Sequence, residues 1–390
     1  MVGVGRALSS SARGTRPRRP HHLRGDQAVT PWRFEWRRTW DAVWAPEFVA
    51  EWERLLSSST HANVYHVPAL VRAWAETHGK ALGAEPLFGF AAGPGGVRVL
   101  ATFVLITHGG RYVTRRVLTA AGDSFFGYHD PLVSGANPAE VDWSLFWHAV
   151  REEVAGRCDH ALLRFVHPAF ASGPLVEPSG DPSLVLVLSG LSSLDEALLR
   201  CSVNHRGDVR RRLRRIREAG DVKLSVTPGA GSIDQALHDF HERFVPAYSA
   251  HWRSRPEGCM LDRPSVADFV GRVMGEGLRS GWARYDALTI DGRSIGWHIG
   301  LTFRGQTYWW IPAHDVEWQA FSPGKVLLAR LIEQAIEHRV DAVHFLTGAQ
   351  RYKLDWKPEV RNLSAVRWHA PSAKGAALAW YDSGRRLVSG

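Results

Sequence analysis

Apolar and polar positions first fall into a regular pattern at residues 33–39, "RFEWRRT", where their alternation predicts a strand. Helical spacing follows near 46–56 and 68–78. Three strand-like runs come next, "EPLFGFAA", "GVRVLATFVLI" and "RYVTRRVL", and the pairs Gly95-Gly96 and Gly109-Gly110 between them mark the turns of a meander. A helix at about 139–155 and the strands "HALLRFV" and "SLVLVL" complete this series. After a basic helical segment the same series returns. Its members are the strand "VKLSVT", helical stretches near 232–250 and 265–280, and a meander of "ARYDALTI", "SIGWHIGLTF" and "QTYWWIP" turned by Asp291-Gly292 and Arg304-Gly305. A helix from Pro323 to His338, the strand "AVHFLT" and a last strand "SAVRWHA" close it. The order β-α-α-β-β-β-α-β-β thus occurs twice, with corresponding elements roughly 180 to 200 residues apart. An α/β class follows, each copy a mixed α+β sheet with helices on its faces.

The chain has 390 residues, which favours two domains of ordinary size. The pattern divides it into a tail at 1–30, a first lobe at 31–190, an Arg-rich linking helix at 191–220, a second lobe at 221–371 and a C-terminal tail at 372–390. The first thirty residues are rich in Arg, Ser and Pro with no apolar centre, and read as a disordered basic tail rather than a secretory signal or anchor. No apolar run approaches the roughly 18 residues a membrane span needs. Cys158, Cys201 and Cys259 are odd in number and widely spaced, which argues against disulfides and zinc and for a reducing cytoplasm. Histidines such as His61, His66, His241, His251 and His344 show no ligand spacing, so no metal is expected. The net charge is +9, carried by 42 Arg and only 6 Lys. Much of it lies in "NHRGDVRRRLRRIREAG", where Val209, Leu213 and Ile216 form one apolar stripe. This helix reads either as a solvated bridge between domains or as the landing site of a phosphate-rich partner, CoA or a tRNA acceptor arm.

The densest chemistry lies in "FSPGKVLLARLIEQAIEHRVDAVHFLTGAQRYKLDW". Ser322, Pro323 and Gly324 place a small, proline-initiated helix start just after a strand, where exposed amides attract anions. Gln319, Ser322 and Gly324 fall in the register Gln/Arg-x-x-Gly-x-Gly/Ala of GNAT acyltransferases, with Ser322 in place of the first Gly. Tyr352, Lys353 and Trp356 form a "YK-x-x-W" run. On these residues the chain resembles the two-lobed GNAT branch of the CelD-type, cellulose-biosynthesis-associated acetyltransferases and, more distantly, the Fem peptidoglycan aminoacyltransferases, whose Phe-Lys-x-x-Phe the run is similar to. The resemblance implies tandem GNAT-like lobes and an acyl-CoA donor, acetyl-CoA in the simplest case, with its pyrophosphate at Gln319, Ser322, Pro323, Gly324 and Lys325. It also implies an amine acceptor on a small molecule or envelope precursor. A Fem-like enzyme would instead take its donor from charged tRNA, and a non-catalytic nucleic-acid-binding protein stands as the reading outside enzymes.

Direct acyl transfer needs a held donor, a deprotonated amine, donors for the oxyanion and a proton for the leaving thiolate. In "SIGWHIGLTF", His298 shares a face with Gly296, Gly300 and Thr302, opposite Ile295, Trp297, Ile299 and Leu301. The small neighbours leave room for an amine beside an imidazole base, although a histidine packed under a helix fits the same pattern. Lys353 is the candidate for charge beside the oxyanion or a phosphate, and Tyr352 for the proton to sulfur. Asp315 is placed to orient the amine or His314, or to make an Asx-turn. Asp130, in "GYHDPL", is expected at an interlobe cleft or in an Asp-Pro turn. Tyr308, Trp310, Gln350 and Trp356 complete the substrate candidates, within a second lobe whose many indoles suit an acyl chain or a sugar face.

Overall fold

The computed structural model describes residues 31–109, 114–229, 232–253, 255–256 and 258–388. The basic tail expected at 1–30 lies outside them, as do Gly110 and the first residues of "RYVTRRVL". In chain order the strands of the first half are β1 (Arg33–Arg37), β2 (Glu85–Ala92), β3 (Arg98–Gly109), β4 (Thr114–Ala120), β5 (Leu132–Ser134), β6 (His160–Val166), β7 (Val176–Pro178) and β8 (Ser183–Val187). Then come β9 (Val222–Thr227), β10 (Ala283–Ile290), β11 (Arg293–Phe303), β12 (Gln306–His314), β13 (Ala342–Thr347), β14 (Glu359–Arg361) and β15 (Ser364–His369). Each of the longer strands, and each of the longer helices before residue 370, matches a periodic run in the sequence. β5, β7 and β14 have three residues each, too few for a period to show. The C-terminal segment read as a tail contains a helix, Ala373–Val388.

Two mixed sheets result, with orders β1-β2-β3-β4-β6-β15-β7, where β5 pairs β3, and β14-β8-β13-β12-β11-β10-β9. The two copies of the plan exchange their last strands. β8, from the first half, runs antiparallel to β13, and β15, from the second, runs antiparallel to β6. β6 and β13 each pair with a parallel neighbour along one edge, and the exchanged strand covers the other edge. Lobe limits drawn along the chain at 190 and 371 therefore differ from the limits of the hydrogen-bonded sheets.

Three cores hold this arrangement. One is common to both halves and packs Trp52, Trp74 and Phe88 together with Phe244, Phe269, Trp297 and Ile299. On the first sheet the helix Trp143–Glu153 buries Trp143, Phe146 and Trp147. On the second, the helix Pro323–Glu337 buries Val326, Leu327, Leu331 and Ile332. The Arg-rich helix Val203–Arg217 joins that last core through its stripe of Val209, Leu213 and Ile216, 3%, 8% and 0% exposed. Burial of three such side chains is worth roughly 1.5 to 3 kcal/mol each, so this helix is docked and not a solvated bridge.

Candidate active site

β12 and β13 are parallel neighbours only from Gln306–Tyr308 against Ala342–His344, and past Tyr308 they part. Two local irregularities accompany the parting. Trp310 is an extra residue in β12, since Gly300 pairs with Trp309 and Ile299 with Ile311. Leu346 in β13 adopts a left-handed φ of 61°. The first sheet repeats the device: β4 pairs β6 only at Val117 and Leu118, and Phe165 has a φ of 58°. Phe165 and Leu346 line one cavity of about 210 Å³, so the two splayed ends meet. From the first half the cavity takes residues 123–127; from the second it takes Trp309, Trp310, Thr347, Tyr352 and Lys353. Gly127 allows this closeness, because a Cβ there would lie 2.8 Å from the Leu346 side chain. Across the same seam the Trp310 indole N–H donates to the Phe125 carbonyl at 3.2 Å.

Lys353 lies in the one-turn helix Arg351–Leu354 and is 6% exposed. Its ammonium donates to the carbonyls of Thr347 at 2.9 Å and Gly348 at 3.5 Å, which leaves one of three donors. Burial pulls its pKa down to about 8. The neighbouring Tyr352 hydroxyl accepts the Trp309 indole N–H at 3.3 Å, and burial raises its pKa, so it keeps its proton at neutral pH. Both side chains expected to act at the strand ends thus border one cavity.

His298 stands elsewhere in the scheme. Its ring is fully buried, stacks on Trp309 at 4.3 Å, donates from Nδ1 to Asp286 Oδ2 at 2.8 Å and accepts the Trp310 backbone N–H on Nε2 at 3.1 Å. The bulged Trp310 gets its hydrogen bond from this imidazole. Arg284 forks onto Asp286 at 2.6 to 3.0 Å and reaches Gln334 of the overlying helix at 3.1 Å. Burial lowers the pKa of His298, and although burial alone would raise that of Asp286, Arg284 and His298 hold the carboxyl below its usual range. The pair is therefore a neutral imidazole on an ionised carboxylate. The space expected beside Gly300 is filled as well: a Cβ there would meet the His298 ring at 2.4 Å and Arg284 at 3.0 Å. With both nitrogens engaged and no exposed atom, His298 has no lone pair for a substrate, and the expected general base is corrected to a structural histidine.

Asp315 is likewise structural. Its Oδ1 caps the turn by accepting the Glu317 N–H at 3.0 Å, and its Oδ2 pairs with Arg293 at 2.9 Å. Seven residues on, Ser322 adopts φ 54° and ψ 57° at the start of the helix Pro323–Glu337, with no side chain capping the first turn. Gly324 leaves the turn approachable, since a Cβ there would have only His314 Nδ1 within 4 Å, at 3.8 Å. Arg212 of the Arg-rich helix hydrogen-bonds the Ser322 hydroxyl, and Arg215 lies 5.1 Å over Phe321. Asp208 collects Arg212 at 2.8 Å and Lys325 at 3.1 Å; burial opposes its ionisation, yet these cations hold its pKa down to about 2. Next to this group, His205 is buried with Nε2 unpartnered. Gln319 is exposed and contributes its carbonyl to the Ser322 N–H at 2.9 Å.

Of the substrate candidates only Trp310 borders the cavity. Tyr308 is fully buried, stacked on His344 at 4.6 Å, and Trp356 is a core residue edge-on to His205 at 5.0 Å. Gln350 is exposed and carries the backbone cap of the Lys353 turn. Asp130 accepts the His167 N–H at 2.6 Å, while burial raises its pKa to about 7. It lies outside the cavity lining. Among the indoles, Trp309 and Trp310 line the cavity, whereas Trp282, Trp297 and Trp356 belong to cores. The sequence reading missed Asp286, Arg284 and the loop at 123–127. For Asp286 a signal exists but misleads: the two-residue Asp291-Gly292 turn sets Ile290 against Arg293, which in regular pairing puts Tyr285 opposite His298. One extra residue, Ile295, shifts the register and brings Asp286 there.

Residues 203–354 match the family described as an acetyltransferase (GNAT) domain, a stretch that begins with the Arg-rich helix and ends at the Lys353 turn. No curated protein matches the sequence. FemX superposes with a TM-score of 0.53 at 10% identity, over 82% of this chain and 95% of its own. The C-terminal domain assigned to a lysylphosphatidylglycerol synthetase of Agrobacterium fabrum gives 0.51 at 13% identity, over 86% and 96%. A tandem GNAT protein from the clavulanic acid biosynthesis pathway gives 0.46 at 12% identity, over 88% and 99%. The two-sheet mixed α/β fold is therefore one shared with FemX, and residues 203–354 of this chain match a GNAT acetyltransferase domain.

Proposed function

We propose that the protein is an N-acyltransferase that moves an acyl group, acetyl in the simplest case, from acyl-CoA to a primary amine of a small molecule or envelope precursor by direct attack. The observation that carries this reading is the cavity at the parted ends of β12 and β13, where the residues that match the GNAT domain meet the first half, bordered by a buried ammonium and a proton-bearing phenol. The remaining Lys353 donor faces charge that develops on the thioester oxygen as the amine nitrogen bonds to carbon. As the carbon–sulfur bond breaks, the Tyr352 hydroxyl gives its proton to sulfur and regains one from water. The start of the helix Pro323–Glu337, with Arg212 and Lys325 beside it, supports a site for the donor's pyrophosphate.

The deciding experiment is thiol release from a panel of acyl-CoAs with primary amines. Turnover of one pair identifies donor and acceptor together. Activity that requires charged tRNA and is abolished by ribonuclease marks a Fem-like donor instead, and no release from any pair removes the acyl-CoA reading. The donor site has its own test. Gly324→Val adds a side chain where little crowds it, so the thermal midpoint should barely move while acetyl-CoA affinity, measured by calorimetry, falls about tenfold or more. Equal affinity in both proteins would withdraw the pyrophosphate from this turn.

A further inference from the structure

The cavity holds two charged lining residues, and they come from opposite halves: Lys353 from the second and Asp123 from the first. Asp123 is paired with Arg164, whose Nη2 and Nε reach its two oxygens at 2.9 and 3.3 Å. Each oxygen keeps a further lone pair. The guanidinium is itself fixed 5.3 Å over the Phe165 ring, so the carboxylate is held at the cavity edge. Resting on the acyl-transfer reading above, we propose that Asp123 is the acceptor-side catalytic carboxylate: it draws the substrate in as an ammonium, takes its proton to free the nucleophilic lone pair, and after passing that proton to water takes the second proton that the nitrogen sheds. Addition of the neutral amine to a thioester puts a negative charge on the oxygen and a positive charge on the nitrogen bonded to the same carbon, and the cavity offers a cation and an anion for these two charges. The nitrogen lone pair forms the carbon–nitrogen bond, the carbonyl pair moves to oxygen beside Lys353, and collapse expels thiolate, which is protonated by Tyr352. Two nitrogen protons pass in turn to Asp123 and on to water, the first from the bound ammonium before attack and the second from the adduct after it, because the Asp123 and Arg164 side chains are 25% and 39% exposed. The walls between are Phe125, Phe165, Trp309 and Trp310, so the acceptor class is a small primary amine with a flat or apolar body.

The test uses the full chain with acetyl-CoA and 2-phenylethylamine, tryptamine, glucosamine and L-lysine. Asp123→Asn should lower kcat/KM for the amine by roughly 10² to 10³ with KM for acetyl-CoA within about twofold. Asp123→Glu keeps the carboxylate and should recover kcat/KM to within about tenfold of wild type. If both variants fall together, the pair merely shapes the loop and the proposal is overturned; an Asp123→Asn protein with wild-type kcat/KM overturns it too. Should Asp123→Asn fail to fold, the wild-type enzyme decides: 2-phenylethylamine should bind about tenfold or more tightly than 2-phenylethanol, and equal binding rejects the ammonium site. Wild-type protein that releases no thiol with any acyl-CoA and amine fails the acyl-transfer reading itself, which separates that outcome from failure at Asp123.

Discussion

His298→Ala is expected to lose the fold, not the chemistry alone. The imidazole is fully buried and carries two hydrogen bonds that nothing else nearby replaces, one to the ionised Asp286 and one from the bulged Trp310 N–H. Removing a neutral donor from a buried, ionised carboxylate costs about 1.5 to 3 kcal/mol. The orphaned N–H adds about 1 to 3 kcal/mol, and the space left under Trp309 adds more. Against a total stability of about 5 to 15 kcal/mol, that sum leaves the protein marginal or unfolded at room temperature. Denaturant unfolding followed by circular dichroism measures it. A folded variant with an unchanged midpoint and turnover reduced 10²- to 10⁴-fold would restore the general base.

Lys353→Met should depress turnover by a factor on the order of 10² to 10³ while the thermal midpoint stays near that of wild type. The stability side is a near balance. With its folded-state pKa near 8, below the usual value of 10.5, the charged lysine costs stability below pH 8, and the cost is relieved as pH rises toward 10.5. That shift corresponds to a few kcal/mol, on the order of 3, which methionine recovers. Methionine also strands the Thr347 and Gly348 carbonyls, at about 1 to 3 kcal/mol each, so the two effects oppose. Turnover has no such compensation, because the charge acts only where the oxyanion forms. In the wild type the rate should fall as pH rises through about 8, when Lys353 loses its proton, and that alkaline limb should vanish in the variant. Lys353→Arg should rescue poorly, since a planar fork does not fit a slot only 6% exposed. Wild-type turnover by Lys353→Met on an identified substrate pair would end the catalytic assignment and leave "YKLDW" as a structural signature.

By itself the sequence determined most elements that depend on neighbours along the chain, the helix Ala373–Val388 being missed. The doubled β-α-α-β-β-β-α-β-β plan, the Asp291-Gly292 and Arg304-Gly305 hairpins and the proline-started helix at Pro323 are each written in local spacing and turn chemistry. Lys353 and Tyr352 were singled out by the resemblance of the "YK-x-x-W" run, and only their place just past a strand was legible in local spacing. What lay beyond reach was pairing between distant segments. "SLVLV" declares a strand buried on both faces, but nothing in its pattern says that its partner is β13 in the other half, because ladder hydrogen bonds join backbones that are alike at every position. Nor does local alternation reveal a single inserted residue. Ile295 and Trp310 each shift a register by one, which moves every later contact to a new partner, and so only the folded sheet decided that His298 meets Asp286 and props the bulge beside the cavity. The cavity itself joins a loop at 123–127 to strand ends some two hundred residues away, brought together by the shared core and the exchanged strands.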